Sequence, residues 1–501
     1  MNENTKAYTA LGLNTVAFTV CFACWMLNGV LVTYLVDNGV FAWDAAQMGM
    51  LIGIPVLTGS LMRLPLGMLT DRFGGRPVFA GLMLISAVPM FLLGSATSYT
   101  DYLIYSLGFG MTGTSFAVGI AFSSVWFSRE RQGTALGIFG AGNAGAALTT
   151  MGAPSVLNWL TDGGVNIDNW RQLPTIYAAA LVLMAVSFYL FTTNRLPAAL
   201  GSKTLVQMLR PLKNVRVWRF GLYYFLVFGG FVSLAQWLVP YYVNVYSMSI
   251  VLAGLLTSIF SLPSGVIRAV GGVLSDKFGA RSVMYGVLGV VALSSFLLFF
   301  PKMDIESTGS GIMARRGGAV TEVTSSTIRV GSDVYALKPA SQAKVDDAST
   351  ALLPRISTWH EPSVALGDQV SKRQLLARGV THIYFQANVW VFTALVFIIG
   401  IAMGIGKAAV YKYIPEYFPD DVGVVGGIVG VVGGLGGFIS PLIFGQLLKS
   451  IGLWTTTWVF FFVITMICLI WMSVVVKRIS RKDTRIEALE TAKSPTGEGN
   501  A

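Results

Sequence analysis

Residues 63–76 of this chain read RLPLGMLTDRFGGR, and residues 268–281 read RAVGGVLSDKFGAR. In both stretches an arginine is followed four residues later by a glycine, and after four more by an aspartate. A repeat of this length, so far apart in one chain, indicates two halves of related sequence. Many secondary transporters are built in this way.

The composition places the chain in a membrane. Hydrophobic residues make up 54% of the sequence, charged residues 12%, and the mean hydropathy is +0.66. A soluble domain carries about twice that share of charge. The stretches 78–93, 177–190 and 457–475 contain no charged residue. Because helices that are apolar on all sides and roughly 20 residues long span a bilayer, the sequence predicts an all-α membrane protein.

We predict about twelve transmembrane helices in two six-helix halves. The first bundle covers residues 1–193, a cytoplasmic linker covers 194–216, and the second bundle covers 217–477. Residues 301–387 form an insert within the second bundle, and residues 478–501 form a tail. The predicted spans are 11–36, 45–70, 77–96, 101–127, 133–159, 173–193, 217–243, 248–274, 281–300, 388–414, 422–447 and 453–477.

The formal net charge of +11 is unevenly distributed. Lysines and arginines fall in alternate segments between the spans, whereas the short loops 38–46, 98–101 and 244–250 contain none. Arg171 is the exception among the short loops. By the positive-inside rule, this asymmetry predicts a multi-pass protein of the cell inner membrane with both termini in the cytoplasm. The basic charge therefore reflects topology, and we expect no nucleic-acid partner.

The insert 301–387 is polar and, by the same count, faces the periplasm. Residues 327–330 and 332–337 are able to form a hairpin. A loop of this length is either functional or disordered, and we interpret it as a non-essential, family-variable extension. His360 and His382 lie in it without other metal-ligand types, which predicts solvated surface residues. The three cysteines, Cys21, Cys24 and Cys468, fall inside predicted spans and are interpreted as packing residues.

Arg63 and Arg268 are the most informative pair. Each lies eight residues before an aspartate at the membrane interface, which places it ~12 Å into a core about 30 Å thick. Two arginines near the midplane need buried partners or anionic ligands, and no carboxylate of the predicted spans lies at that depth. Guanidinium groups bind planar oxyanions through two parallel hydrogen bonds. The pair therefore predicts an anion clamp; the alternative is that backbone carbonyls cap each arginine.

The remainder of the repeat lies where helices end at the membrane surface. Aspartates beside basic residues and helix termini can latch one face of the bundle and separate when the halves rock. A static topology anchor is the alternative. The candidate gating residues are Gly67, Asp71, Arg72, Arg76, Gly272, Asp276, Lys277 and Arg281.

Spans five and eleven are rich in glycine. Span five contains GAGNAG at residues 140–145, and span eleven carries eight glycines within residues 423–437, a density that lets helices approach closely. The GxGxxG spacing in span five does not indicate a dinucleotide fold, because no strand precedes it. Asn143 lies about ten residues inside the membrane, near the depth of the arginines. Lys407 in span ten is a third intramembrane cation, unless its side chain reaches the cytoplasm beside Lys412.

The repeated Gly-x3-Asp-Arg/Lys-x-Gly-x-Arg loop resembles the signature between the second and third spans of the major facilitator superfamily. The resemblance extends over essentially the whole chain apart from the insert. The glycine-rich motifs of spans five and eleven resemble the two nitrate signatures of its nitrate/nitrite porter (NarK-type) branch. This resemblance implies that Arg63 and Arg268 hold the anion, that Asn143 contributes a hydrogen bond, that Phe116 and Phe228 sandwich the anion, and that Tyr224 lies near it.

The expected function is nitrate uptake by alternating access in exchange for nitrite, and nitrate:proton symport is the alternative. Without a midplane carboxylate, the empty arginine pair is an unneutralised buried charge, which favours reorientation with an anion bound. Lys407 is expected to raise anion affinity, or to carry a proton if symport is correct. An enzyme is not expected, because it would need a nucleophile, metal or cofactor motif. A channel is not expected either, because it does not require the gating motif in both halves. We expect a monomer in the lipid bilayer, without metal or cofactor.

Overall fold

The computed structural model describes residues 3–127, 129–196, 210–300, 303–340, 355–385, 388–418 and 422–493. These residues form two compact units. One is helical and is built from both ends of the chain, and the other is a β unit within Phe300–Ala394. The fold class predicted from the apolar runs is confirmed for the helical unit, and the β unit corresponds to the predicted insert.

The first half of the helical unit contains six helices joined by short connections. Their bounds are α1 (Glu3–Asp37), α2 (Ala45–Phe73), α3 (Gly75–Leu93), α4 (Tyr99–Ser124), α5 in three successive segments (Arg129–Gly140, Ala141–Ala144 and Gly145–Leu160) and α6 (Ile167–Phe191). The middle segment of α5 is a 3-10 turn that includes Asn143. A further 3-10 turn, Gly110–Thr114, interrupts α4 just before Phe116.

The second half repeats this arrangement. Its helices are α7 (Val215–Tyr246), α8 (Ile250–Val266 and Arg268–Phe278), α9 (Ala280–Leu297), α10 (Val389–Tyr417), α11 (Val422–Ile451) and α12 (Thr456–Lys493). Over the described ranges, ten helices are long and apolar enough to cross a membrane, and α8 is an eleventh if its two segments, bent by 46°, are one span. Among the predicted spans, α5 does not meet this test within the described residues.

The structure describes parts of the predicted tail and of the predicted linker. The helix α12 continues past residue 477 to Lys493, so most of the predicted tail is a helical extension. Of the predicted linker 194–216, residues 197–209 lie outside the described part, and its last residues form a short 3-10 turn and the start of α7.

The repeat is also visible in the shape of two helices. The helix α2 is broken at Met62 and α8 is broken at Ile267, so Arg63 and Arg268 each begin a new helical segment. In α2 the cause is Pro65, which has no N–H to donate to the carbonyl four residues earlier. The two breaks lie at equivalent points of the two halves, and the one in α8 bends that helix by 46°.

The halves contact each other closely at the end of the bundle that carries Asp44. A Cβ added to Gly53 of α2 would lie 2.7 Å from the carbonyl oxygen of Phe438 in α11. Lys449 Nζ donates to the Asp44 carboxylate at 2.9 Å, and this bond, with one from the Gln47 amide, lowers the pKa of Asp44. The bundle is therefore closed between α2 and α11 on this side of the arginines.

The β unit consists of two antiparallel sheets. Its strands are β1 (Met303–Met313), β2 (Gly318–Val323), β3 (Thr327–Val330), β4 (Asp333–Ala336), β5 (Arg355–Pro362), β6 (Gln369–Val370) and β7 (Leu375–Phe385). The spatial orders are β1-β7-β5 and β4-β3-β2-β6. The predicted hairpin is confirmed, because β3 and β4 pair antiparallel with Val330 opposite Asp333.

This unit has a hydrophobic core of its own, in which Ile328 and Leu376 are fully buried. The insert is thus a folded domain rather than a disordered loop. The two histidines are less solvated than the sequence predicted, since both are half-buried. His360 Nδ1 accepts a hydrogen bond from the Lys338 amide at 3.0 Å, and His382 packs edge-on against Trp359.

Candidate anion-binding site

Arg63 lies in the interior of the helical unit with only 4% of its surface exposed. Its Nη1 donates to the carbonyl oxygen of Gly430 in α11 at 2.6 Å. The other two guanidinium nitrogens, Nε and Nη2, are buried and have no hydrogen-bond partner among the described residues. Backbone capping, the alternative considered from sequence, therefore accounts for one of three nitrogens and leaves two donors available.

Aromatic rings surround this guanidinium group. The Arg63 Cζ lies 5.2 Å from the ring centroid of Phe228, 5.8 Å from that of Phe116 and 5.9 Å from that of Trp25. Cation–π contact of this kind stabilises a desolvated cation without neutralising its charge. The guanidinium therefore remains a charged donor group inside the bundle.

Arg268 of the second half also lies near the Phe116 ring. Its Cζ lies 5.5 Å from the centroid of Phe116 and 5.5 Å from that of Tyr411. Unlike Arg63, it is only half-buried. The structure thus brings together the two arginines that the repeat predicted, with Phe116 of α4 shared between them.

The helix α7 supplies a second aromatic wall. Tyr224 and Phe228 stack with centroids 5.0 Å apart and an interplanar angle of 3°. The π-helical turn Phe225–Gly229 lies at this point of α7, and such turns are frequent at functional sites. Tyr411 of α10 packs edge-on against Tyr224 at 5.0 Å.

The glycines of α11 are what allow these contacts. A Cβ on Gly433 would overlap the ring of Tyr224, and one on Gly434 would overlap the Ser60 side chain. A Cβ on Gly430 would lie 3.6 Å from Arg63 Nη1. The glycine-rich motif thus lets α11 approach the site closely enough to present the Gly430 carbonyl to Arg63.

Asn143 is buried, and its side-chain amide is hydrogen-bonded in part within its own helix. Its Nδ2 donates to the Gly140 carbonyl at 2.9 Å, and its Oδ1 has no partner in the described part of the chain. It packs against Gly265, three residues before Arg268. The Nδ2 group has two N–H donors, so one remains after the bond to Gly140, and hydrogen bonding to an anion stays a prediction.

Lys407 is fully buried, with 0% of its surface exposed. Its Nζ lies 3.4 Å from the ring centroid of Phe231 in α7 and has no hydrogen-bond partner among the residues described. The alternative in which it reaches the cytoplasm beside Lys412 does not hold, because Lys407 is enclosed whereas Lys412 is exposed and pairs with Asp276 at 2.6 Å. Lys407 therefore adds a second region of positive charge inside the bundle, against α7.

The two aspartates of the gating motif differ in their partners. Asp276 pairs with Lys412 of α10 and not with Lys277 or Arg281 of its own repeat. Asp71 has no ion pair with any side chain in the described ranges. Gly67 and Gly272 have open space around them. Three other positions of the motif form cation–π contacts or a backbone hydrogen bond: Arg72 with Phe73, Arg76 with Tyr189 and Lys277 with Phe278. Arg281 is exposed.

Sequence reasoning missed three contributors to the site. These are Tyr411, Trp25 and the Gly430 carbonyl. Tyr411 follows Lys407 by four residues, which places both on one face of α10 and was a usable signal. Trp25 and the carbonyl carried no sequence signal, because they reach Arg63 only through the packing of α1 and α11.

The charged side chains that are buried in the described part are Arg63, Arg219 and Lys407, all of them cations. An interior with cationic groups and aromatic walls but no described buried carboxylate attracts anions. Together with the two six-helix halves, this defines a multi-pass membrane transporter.

Comparison with known proteins identifies the family to which the chain belongs. The Major Facilitator Superfamily model matches residues 13–328 and 375–498. A probable nitrate/nitrite antiporter, NarK1, of Thermus thermophilus is 36% identical over 487 residues, which cover 96% of this chain and 95% of that protein. The chain therefore belongs to the major facilitator superfamily and to its nitrate/nitrite porter (NarK-type) family, a family of transporters and not of enzymes.

The chain is also similar to more distant transport proteins. A nitrite extrusion protein of Bacillus subtilis is 24% identical, over 89% of both chains. Among solved structures, a bacterial homologue of the human lysosomal transporter Spinster, in an inward-facing and occupied conformation, has a TM-score of 0.62 at 14% identity, covering 93% of this chain and 96% of that one. A mutant form of the nucleoside transporter NupG has a TM-score of 0.58 at 13% identity, covering 93% of this chain and 99% of that one. These two likenesses concern the fold alone.

Proposed function

We propose that this protein transports nitrate and nitrite across the cell inner membrane by alternating access, with both termini in the cytoplasm. The observation that carries the proposal is the pair of arginines, one from each half, whose guanidinium groups lie 5.8 Å and 5.5 Å from the same Phe116 ring. The names of its relatives, nitrate/nitrite antiporter and nitrite extrusion protein, support this substrate class.

The free donors suit a small planar oxyanion. Nε and Nη2 of Arg63 lack partners in the described part, and these adjacent N–H groups form one edge of the guanidinium fork. Such an edge matches two oxygens of nitrate or nitrite by parallel hydrogen bonds. The flat rings of Phe116 and Phe228 beside the Arg63 guanidinium suit a flat ligand that has shed its water.

Because Arg63 and Arg268 belong to different halves, an anion between them joins the halves electrostatically. Reorientation with the anion bound moves a neutralised pair, whereas reorientation of the empty site moves uncompensated charge through a medium of low dielectric. This difference favours exchange of nitrate for nitrite. Proton symport is the second candidate, because Lys407 is a buried cation without a hydrogen-bond partner in the described part.

The test is counterflow in proteoliposomes. Vesicles loaded with nitrate should take up external nitrite with little dependence on an imposed pH gradient. Lys407→Gln should lower the apparent anion affinity and keep that pH independence. Lys412→Gln is the matched control, because that lysine is exposed and paired with Asp276, and it should leave the affinity unchanged.

Uphill nitrate entry driven by a pH gradient alone, and lost in Lys407→Gln, would overturn exchange and establish symport. Linear conductance without saturation would overturn the transporter proposal in favour of a channel. Absence of both nitrate and nitrite transport by the folded, reconstituted protein would overturn the substrate assignment.

A further inference from the structure

A groove of 590 Å³ runs along the outside of the second half, between α8, α9 and α10. Ser282 is the one polar residue of its lining. Phe278 and Ile398 in its walls are exposed by 57% and 42%, so the groove opens away from the interior of the bundle. In a membrane-spanning protein this face meets the acyl chains of the bilayer.

The groove is deepened by a glycine. Gly286 of α9 lies in its lining, and a Cβ added there would have no atom within 4 Å. A side chain at this position would therefore occupy the groove without a clash. The volume is open to a flexible apolar chain.

Two cations lie at one end of the groove. Lys277 precedes the lining residue Phe278, and its Nζ lies 5.3 Å from the centroid of that ring. Arg281 precedes the lining residue Ser282 and is exposed. Neither forms an ion pair within the described ranges, and the adjacent Asp276 is bound to Lys412. An apolar slot thus ends at two cations that have no described ion-pair partner.

We propose that this groove binds an anionic phospholipid, with an acyl chain against α9 and α10 and the phosphate between Lys277 and Arg281. Apolar burial of the chain and attraction of the headgroup to two cations act together, as they do in other lipid-binding basic clusters. The commitment to a lipid rests on the groove, since a free phosphate would make no use of its apolar walls. The proposal depends on membrane insertion and is independent of which anion is transported.

The first half does not offer the same headgroup site. Arg76 is equivalent to Arg281 in the repeat, but its Nε donates to the Tyr189 carbonyl at 2.7 Å and its Cζ lies 4.2 Å from the Tyr189 ring. An arginine held in this way is less available to a phosphate. The lipid site is therefore expected in the second half alone. The equivalent positions of the first half supply a matched control.

Native mass spectrometry of the full chain in detergent tests the proposal. With phosphatidylglycerol or phosphatidylcholine added at equal concentration, the protein should retain one phosphatidylglycerol molecule in preference. The double variant Lys277→Gln/Arg281→Gln should weaken phosphatidylglycerol binding roughly tenfold or more and remove the preference. Gly286→Phe, which fills the groove, should weaken binding of both lipids.

The repeat-related variants Arg72→Gln/Arg76→Gln and Gly81→Phe are the controls and should retain phosphatidylglycerol. Equal binding of both lipids by the parent protein, or equal loss in the first-half controls, would refute the site. Displacement of the lipid by inorganic phosphate would show a free-anion site instead. Should the double variant not fold, as judged by its thermal unfolding, Lys277→Gln alone carries the test, and unchanged lipid preference in it and in Gly286→Phe would refute the proposal.

Discussion

The two halves share a sequence signature but use it differently. Arg63 is buried and donates to the Gly430 carbonyl, whereas Arg268 is half-buried and lies over the rings of Phe116 and Tyr411. Asp276 is paired with Lys412, whereas Asp71 has no described ion pair. The repeat fixes where along a helix each side chain lies. The neighbouring helix then decides what that side chain contacts.

This difference predicts different roles for the two arginines. Arg63 is held by α11 and presents a preorganised edge of the guanidinium group, which reduces the entropy lost on binding. Arg268, with more exposure, approaches the shared Phe116 from the side of α8, whose break at Ile267 lets its segment turn. Matched variants of the two halves test this asymmetry.

The largest effect is expected when each arginine is replaced by lysine. Arg63→Lys and Arg268→Lys should each severely reduce nitrate counterflow, because an ammonium group is a point donor and cannot replace the fork. Loss of a charge-assisted hydrogen bond is worth about 3 kcal/mol at most, or roughly a hundredfold. Arg63→Lys should be the more damaging, since it also loses the contact with Gly430.

The control for both is Arg329→Lys, a conservative change of an exposed residue in the β unit, paired with Glu322. Near-normal uptake by either bundle variant would show that charge alone suffices. Equal losses in the two would remove the asymmetry between the halves.

A second prediction tests the approach of α11 to the site. Gly433→Ala places a methyl group against the buried ring of Tyr224 and should displace it from Phe228. Overpacking of this kind costs about 1–3 kcal/mol, and we expect a roughly tenfold loss of nitrate affinity. Gly426→Ala, whose nearest neighbour would lie at an ordinary 3.6 Å, is the control. Unchanged affinity in Gly433→Ala would mean that Tyr224 has no part in binding.

A third prediction concerns the gating aspartates. Asp276→Asn should slow exchange by a few fold at most, because an exposed ion pair contributes about 0–1 kcal/mol. The exchanged pair Asp276→Lys/Lys412→Asp should restore the rate if the ion pair is what matters. Asp71→Asn has no described pair to lose and serves as the comparison. Transport rates at matched protein content decide this, and no recovery in the exchanged variant would favour the static-anchor interpretation.

The smallest effect is expected from the insert. Replacement of residues 305–380 by a short Gly/Ser linker should leave nitrate counterflow largely intact, because the β unit has its own core and loop-closure entropy changes slowly with length. The measurement is counterflow together with thermal unfolding of the purified variant. A variant that inserts and folds but does not transport would show that the β unit is required.

Much of the site was predictable, and particular residues show where prediction ended. Arg63 and Arg268 were identified by depth and repetition, and the structure brings them to one ring. Asn143 was identified as a buried residue of span five, but its amide is bonded to Gly140. The partner of Asp276 was not predictable, since Lys412 belongs to a helix that follows the insert. The β unit was read only as one hairpin, because its core joins short strands from distant parts of the segment.

The sequence by itself determined that this chain crosses the membrane many times, is built from a repeat and carries arginines at the depth of an anion site. These properties follow from residue type and spacing along single helices, because each helix crosses the bilayer by virtue of its own sequence. Only the tertiary structure decided that Gly430 caps Arg63, that Tyr411 joins Arg268 and that Lys407 packs on Phe231. Such contacts depend on how closely and at what angle separate helices pack, and a few glycines and two helix breaks set that geometry across the whole bundle.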